Sequence, residues 1–103
     1  MTDSEILQKI EKSKQIIAYF SYPTCNVCKT LRPKVEELVG SYSMVEFLYI
    51  DTQIHPTVSG QNMVFAVPTI ILFVGGKEAK RWSRHLSVRE IKEELERWLI
   101  SHD

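Results

Sequence analysis

Apolar residues recur along the chain with two different spacings, and each spacing predicts a different kind of element. Three segments, Ile16–Phe20, Val45–Ile50 and Thr69–Val74, are almost continuously apolar and rich in residues that favour the pleat, so they are predicted as β-strands. Gly75 and Gly76 then form a tight-turn signal. The segment Lys77–Ser83 is therefore predicted to return antiparallel to the third strand.

Helical spacing of apolar residues is found in the stretches that flank these strands. Thr2 and Glu5 have the spacing of a capping box before a first helix, and Ser87 and Glu90 repeat it before a last one. A helix between the first two strands predicts a parallel crossover. Residues 57–63 show no clear spacing of apolar residues and are predicted to form at most a short helix. The predicted order is α-β-α-β-α-β-β-α.

Composition narrows the class of protein. A chain of 103 residues with 44% hydrophobic content predicts a single domain spanning residues 1–103. Thirteen basic and thirteen acidic side chains cancel, which gives no general case for binding nucleic acid or a membrane. No apolar run resembles a signal sequence or a membrane span, so a cytoplasmic location is expected. Basic residues of the second half are interpreted as solvated charges at an edge strand: Lys77, Lys80, Arg81, Arg84 and Arg89.

The chain has two cysteines, Cys25 and Cys28, at a spacing that serves either metal binding or thiol–disulfide exchange. Zinc needs more ligands than one pair supplies, whereas His55, His85 and His102 lie far apart and form no pair. The histidines are therefore expected to be solvated, and no metal site is predicted. A purely structural disulfide remains an alternative, although so small a ring constrains little of the unfolded chain. Redox chemistry is the favoured interpretation.

Exchange chemistry explains why this pair should lie where a strand passes into a helix. The attacking species is a thiolate, so the site has to lower a thiol pKa from its free value of ~8.5. The unpaired N–H groups at a helix start have this effect. Pro23 ends the first strand, and Thr24 is predicted as the N-cap of a helix that begins at Cys25. Cys25 is then the accessible attacking thiol, and Cys28 resolves the mixed disulfide.

Further motifs accompany the cysteines. Pro33 follows the second cysteine by five residues and predicts a kink in the helix, and Pro68 with Thr69 opens the third strand. Together with the element order, these features resemble the thioredoxin family over nearly the whole chain. The resemblance implies an α/β protein with the thioredoxin fold, in which a central mixed four-stranded sheet is flanked by helices. It also implies that Pro68 follows a cis peptide bond and faces the disulfide across a groove.

The resemblance implies roles for residues near the cysteines as well. Tyr22, Pro23 and Phe65 would form an apolar rim around the attacking thiol. Val67 would pair its backbone with an extended substrate segment, and Pro68 would shape the groove without offering a competing N–H. Tyr22 and Phe65 keep a second interpretation, as ordinary core residues.

Several positions depart from the usual family pattern. Asn26 and Val27 stand between the cysteines in place of Gly-Pro, and Thr24 replaces the preceding tryptophan. The buried aspartate thought to manage the proton of the resolving thiol corresponds to Tyr19, and its lysine partner corresponds to Phe47. With a reference pKa of ~10, Tyr19 would be a poor base at neutral pH. Either water serves instead or exchange is slower than in a general-purpose thioredoxin.

Two functions from different classes follow. The first is a thiol–disulfide oxidoreductase that acts on protein or small-thiol disulfides and needs no bound cofactor. Its electrons would come from a partner reductase or from low-molecular-weight thiols. The second is a protein-binding module that is redox-inactive or uses the disulfide as a redox-sensitive latch. Tyr19 in place of an acid and the apolar Phe65 favour the second function somewhat.

Overall fold

A computed structural model of the chain describes residues 1–83 and 86–101. Within these residues the elements follow the predicted order and type. They are α1 (Asp3–Lys12), β1 (Gln15–Ser21), α2 (Asn26–Gly40), β2 (Glu46–Asp51), α3 (Pro56–Gln61), β3 (Thr69–Val74), β4 (Lys77–Ser83) and α4 (Val88–Ser101). The sequence placed the strand boundaries to within about a residue. The predictions for Arg84, His85 and His102 lie outside the described residues.

The four strands form one mixed sheet in the order β2-β1-β3-β4, which confirms the predicted architecture. β1 runs parallel to β2 and antiparallel to β3, and β4 returns antiparallel along β3. The return requires Gly75 and Gly76, whose φ values of 59° and 83° lie in the left-handed region that favours glycine.

Both faces of the sheet are covered, and β1 is buried at every residue. Ile16, Ala18 and Phe20 belong to a core cluster that includes side chains of α1 and α3. Ile17 and Tyr19 point to the opposite face, where a second cluster includes side chains of α2 and α4. Because successive side chains of a strand alternate between faces, β1 contributes to both cores. The strand that leads to the cysteines is therefore packed against other side chains on both of its faces.

Local capping agrees with the sequence at the start of the chain, whereas the prediction for His55 is wrong. Thr2 and Glu5 form the predicted capping box, with the Glu5 N–H donating to Thr2 Oγ1 at 3.1 Å and the Thr2 N–H donating to Glu5 Oε1 at 2.8 Å. The His55 side chain was expected to be solvated, yet it is only 15% exposed. Its Nδ1 lies 2.6 Å from Asp3 Oδ1, so the ring links the start of α3 to α1.

Candidate active site

Two chain segments carry the predicted site residues, and they meet at one edge of the sheet. β1 and β2 are parallel, so both end there, and β3 begins there because it is antiparallel to β1. Thr69 lies opposite Phe20 in the β1–β3 ladder. Pro68 therefore lies at the level of Ser21, just ahead of the turn into the cysteines. The Val67–Pro68 peptide bond is cis, as the resemblance implied.

The start of α2 differs from the prediction by one residue. Thr24 was expected to be the N-cap, but Cys25 takes that position, with extended φ and ψ of −76° and 109°. The cause is a turn in which the Cys25 N–H donates to the Tyr22 carbonyl at 3.1 Å, so that Thr24 lies inside the turn. Cys25 Sγ instead accepts the N–H of Cys28 at 3.4 Å. The sulfur thus occupies the place of a capping oxygen.

Cys25 and Cys28 are joined by a disulfide, with 5.3 Å between their Cα atoms. Cys28 is only 4% exposed and belongs to the core cluster under α2, whereas Cys25 is half-buried. An external thiol or disulfide therefore reaches Cys25 more easily than Cys28. The pair combines one accessible sulfur, held at a helix start, with a second sulfur bonded behind it.

A cleft of about 360 Å³ opens beside the disulfide. Both cysteines, Tyr22 and Pro23 line it. Pro33, which the sequence singled out as a predicted helix kink, also lines it. The sequence did not single out the remaining residues of its wall, which are Ser21, Lys29, Arg32, Glu36 and Tyr49. The Arg32 guanidinium lies 3.8 Å from the centre of the Tyr49 ring, and its Nε donates to Glu36 Oε1 at 2.6 Å. The i,i+4 spacing of Arg32 and Glu36 was the available signal.

Tyr22 also lines a second groove, of about 330 Å³. The other residues that line this groove are Thr52, Val64, Phe65, Ala66 and Val67. Phe65 is 84% exposed, so the alternative of a core residue is wrong for it. Phe65 does not line the cleft that contains the cysteines, although the sequence placed it on their rim with Tyr22 and Pro23. Tyr22 borders both cavities, whereas Pro68 is buried and lines neither of them.

Tyr19 occupies the position beneath the cysteines and is fully buried. Its hydroxyl donates to the Cys28 carbonyl at 3.4 Å, and its ring centre lies 6.1 Å from those of Phe47 and Tyr49. Burial, and then the neighbouring Tyr49, raise the pKa of Tyr19 to about 12, against an opposing effect of Arg32. The hydroxyl is therefore neutral at physiological pH. An aromatic cluster stands where the family pattern has an acid and a lysine.

Neither a metal site nor a membrane span is found in the part of the chain that the structure describes. Across residues 1–83 and 86–101, no three Cys, His, Asp or Glu side chains come together as a ligand set for a metal ion. Over the same residues, none of the helices has the length and apolarity needed to cross a bilayer.

Sequence comparisons identify relatives of the chain. The family model described as Thioredoxin matches residues 1–97. Thioredoxin-like protein YdfQ of Bacillus subtilis is 27% identical over 88 residues, which are 85% of this chain and 79% of YdfQ. Thioredoxin-1 of Saccharomyces cerevisiae is 31% identical over 80 residues, which are 78% of either chain.

Solved structures agree with the sequence comparisons. Thioredoxin 1 of Thermosipho africanus is 34% identical and superposes with a TM-score of 0.80, over 85% of this chain and 99% of its own. The oxidised thioredoxin of Plasmodium falciparum, at 21% identity, shares the fold with a TM-score of 0.83 over 94% and 92% of the two chains. Over nearly its whole length, the chain belongs to the thioredoxin family.

Proposed function

We propose that this chain is a thiol–disulfide oxidoreductase that works by direct exchange through Cys25 and Cys28, within one domain spanning residues 1–103. Thioredoxin-family membership and the close cysteine pair support this chemistry at the level of the family. The observation that carries the proposal is the unequal exposure of the two bonded sulfurs. Cys25 is accessible at the helix start, whereas Cys28 is buried one turn further on.

The reaction begins with the reduced protein. The Cys25 thiolate attacks one sulfur of a substrate disulfide, which breaks the substrate bond, releases one substrate thiolate and forms a mixed disulfide. Cys28 then loses its proton and attacks Cys25 Sγ, which releases the second substrate thiolate. Two electrons pass from the protein dithiol to the substrate, whose two thiolates take up protons. The Cys28 N–H that points at Cys25 Sγ, together with the positive end of α2, stabilises the attacking thiolate.

The proton of Cys28 passes to water in this scheme. Tyr19 stands at the position of the family's buried acid, but its pKa of about 12 prevents it from holding a negative charge at neutral pH. Cys28 lines the cleft of about 360 Å³, and in the proposed scheme this cleft is the route by which water approaches its sulfur. Exchange is consequently slower than in a thioredoxin that has an internal carboxylate.

The substrates are protein disulfides, with small disulfides as simpler alternatives. An extended segment of the substrate pairs with the backbone of Val67 and packs on Tyr22 and the exposed Phe65, while Pro68 shapes the groove and offers no competing N–H. A partner reductase or a low-molecular-weight thiol regenerates the dithiol, and no bound cofactor is needed. We assign the activity to the cytoplasm, where cysteine pairs are more often catalytic than structural.

Alkylation of the reduced protein against pH, with the modified cysteine located by mass spectrometry, tests the proposal. We expect Cys25 alone to react, with a midpoint clearly below ~8.5. Cys28→Ser should accumulate a covalent adduct with a disulfide substrate, whereas Cys25→Ser, the matched control, should not. Equal reaction of both cysteines near ~8.5, or no adduct in Cys28→Ser, would contradict the proposal.

A redox-latched binding module is the second candidate, and two observations favour it. Phe65 is an apolar side chain that is 84% exposed, and the site has no internal proton acceptor because the pKa of Tyr19 is about 12. A binding module would retain its partner in both Cys25→Ser and Cys28→Ser without a covalent link. An exchange enzyme would form the link only when Cys25 is present.

A further inference from the structure

The segment that precedes the cis peptide bond, residues 62–67, is an exposed loop between α3 and β3. Phe65 is 84% exposed and Met63 is 65% exposed, and Met63 has a φ of 55° in the left-handed region. The Val64 N–H donates to the Ser59 carbonyl at 2.9 Å, which attaches the loop to α3. The opposite side of the loop carries the carbonyl groups of Asn62 and Met63.

Those two carbonyls are bound by one side chain from β4. Arg81 Nη2 donates to the Asn62 carbonyl at 2.6 Å, and Arg81 Nη1 donates to the Met63 carbonyl at 3.0 Å. The same guanidinium donates to both oxygens of Glu78, from Nε at 2.9 Å and from Nη2 at 2.7 Å. Arg81 was interpreted from the sequence as a solvated edge charge, and this interpretation is wrong.

An irregularity of β4 places Glu78 beside Arg81. Residues three apart on a regular strand point to opposite faces of the sheet. In the β3–β4 ladder, Leu72 lies opposite Lys80 and Phe73 opposite Glu78, so Ala79 is an extra residue. This bulge brings Glu78 to the face from which Arg81 extends. The carboxylate orients the planar guanidinium, whose remaining donors meet the loop.

We propose that Arg81 is a positioning residue that holds loop 62–67 in the shape that binds extended protein segments, and thereby favours protein disulfides over small ones. This inference rests on the proposed exchange function. The loop carries Phe65 and Val67, which line the second groove together with Tyr22. A loop that is already ordered loses less conformational entropy when a substrate segment binds. A small disulfide needs only the accessible sulfur of Cys25 and makes no use of the groove.

The two kinds of substrate separate this role from a general structural one. Each variant is fully reduced beforehand and reacts in a single turnover with excess insulin or with excess hydroxyethyl disulfide. Samples are quenched with acid and alkylated, and mass spectrometry then measures the fraction of protein that has been oxidised. For Arg81→Met we expect the half-saturating insulin concentration to rise at least fivefold, with the limiting rate within twofold of the original. The rate on hydroxyethyl disulfide should stay within twofold. Amide hydrogen exchange in residues 62–67 should accelerate.

Three variants accompany Arg81→Met. Arg81→Lys should recover part of the insulin affinity, because an ammonium keeps a donor for one carbonyl. Glu78→Gln should raise the half-saturating insulin concentration by about threefold, since it weakens the charged partner of Arg81 and leaves the loop contacts in place. Lys80→Met, the matched control, removes an exposed cation of the same strand and should change nothing.

Each outcome bears on one of the two proposals. Equal slowing on both disulfides in Arg81→Met would show a general structural role and overturn the inference, as would unchanged kinetics on both. If Arg81→Met fails to fold, Glu78→Gln decides instead, by whether its half-saturating insulin concentration rises while its rate on hydroxyethyl disulfide stays unchanged. A failure of the unmodified protein to reduce either disulfide would overturn the exchange function itself, and the inference with it.

Discussion

Replacing Tyr19 with phenylalanine separates two roles that a buried hydroxyl beneath the disulfide can have. The hydroxyl either takes part in proton transfer or only donates a hydrogen bond to the Cys28 carbonyl at 3.4 Å. The ring contacts with Phe47 and Tyr49 are retained in the variant, and no cavity larger than one oxygen atom forms. The change therefore isolates the hydroxyl.

The two roles predict changes in the exchange rate that differ by orders of magnitude. A hydrogen bond between neutral groups contributes about 0.5–1.5 kcal/mol to stability, and at 3.4 Å we expect the lower end of that range. A loss of about 0.5 kcal/mol corresponds to a rate change of about two- to threefold at most. Loss of a general acid or base instead slows a reaction by about 10²–10⁴-fold. Because the pKa of Tyr19 is about 12, the small effect is expected.

The assay measures the exchange rates of the reduced unmodified protein and of reduced Tyr19→Phe from about pH 6 to pH 9, a range that lies below the Tyr19 pKa of about 12. The pH profile should superimpose on that of the original protein, and the free energy of unfolding of the oxidised form should fall by about 0.5 kcal/mol. Tyr49→Phe is the control, since it removes a phenol from the same cluster and keeps the ring under Arg32. A rate loss above tenfold, or loss of an ionisation from the profile, would refute the reasoning.

Two further predictions concern stability. Gly76→Ala should lower the free energy of unfolding by more than about 1 kcal/mol, because the φ of Gly76 is 83° and an added Cβ would lie 3.1 Å from the Glu11 carbonyl oxygen. Gly40→Ala, which has open space around the added Cβ, should raise the free energy of unfolding by about 0.5 kcal/mol. Urea unfolding that gives the opposite sign for either variant would contradict the prediction. Hydrogen bonds from Arg81 lower the pKa of Glu78 against an opposing effect of burial, so this pair stabilises the fold fully above the ordinary value of 4.5 and loses its effect as the pH falls through the lower folded value. Glu78→Gln should therefore lower the free energy of unfolding by less than about 1 kcal/mol at neutral pH, because the ion pair with Arg81 is partly exposed. At a pH below the folded pKa of Glu78 the substitution should have no effect. An effect that stays constant with pH would refute this linkage.

Features encoded in adjacent residues could be predicted from the sequence. The apolar run of β1, the capping box of α1 and the Gly75-Gly76 turn depend on residues within a few positions of one another. The N-cap of α2 was misplaced because threonine is generally preferred there, while the Tyr22–Cys25 turn, which places Thr24 elsewhere, leaves no signal in residue type.

Several side-chain contacts between distant residues could not be predicted. Arg81 lies 18 residues from Met63, and their contact depends on how β4 returns along β3 and on the bulge at Ala79. The exposure of Phe65 could not be predicted either, because it depends on where the surrounding elements pack. An apolar residue in a loop belongs to no periodic pattern that would assign it to a buried or an exposed face. The resemblance identified Tyr19 as the replaced acid, but its contact with Tyr49 follows from the parallel register of β1 and β2.

The two proposals assign reactivity and substrate choice to different parts of this molecule. In the proposed exchange, the reactivity of Cys25 depends on the start of α2, where the Cys28 N–H meets its sulfur. The proton of Cys28 passes to water, because the aromatic cluster around Tyr19 provides no base at neutral pH. In the further inference, substrate choice depends on the loop that carries Phe65, and Arg81 of β4 binds two carbonyls of this loop. A substitution in one part should therefore leave the other unchanged, and effects of changes at Tyr19 and Arg81 should add in free energy.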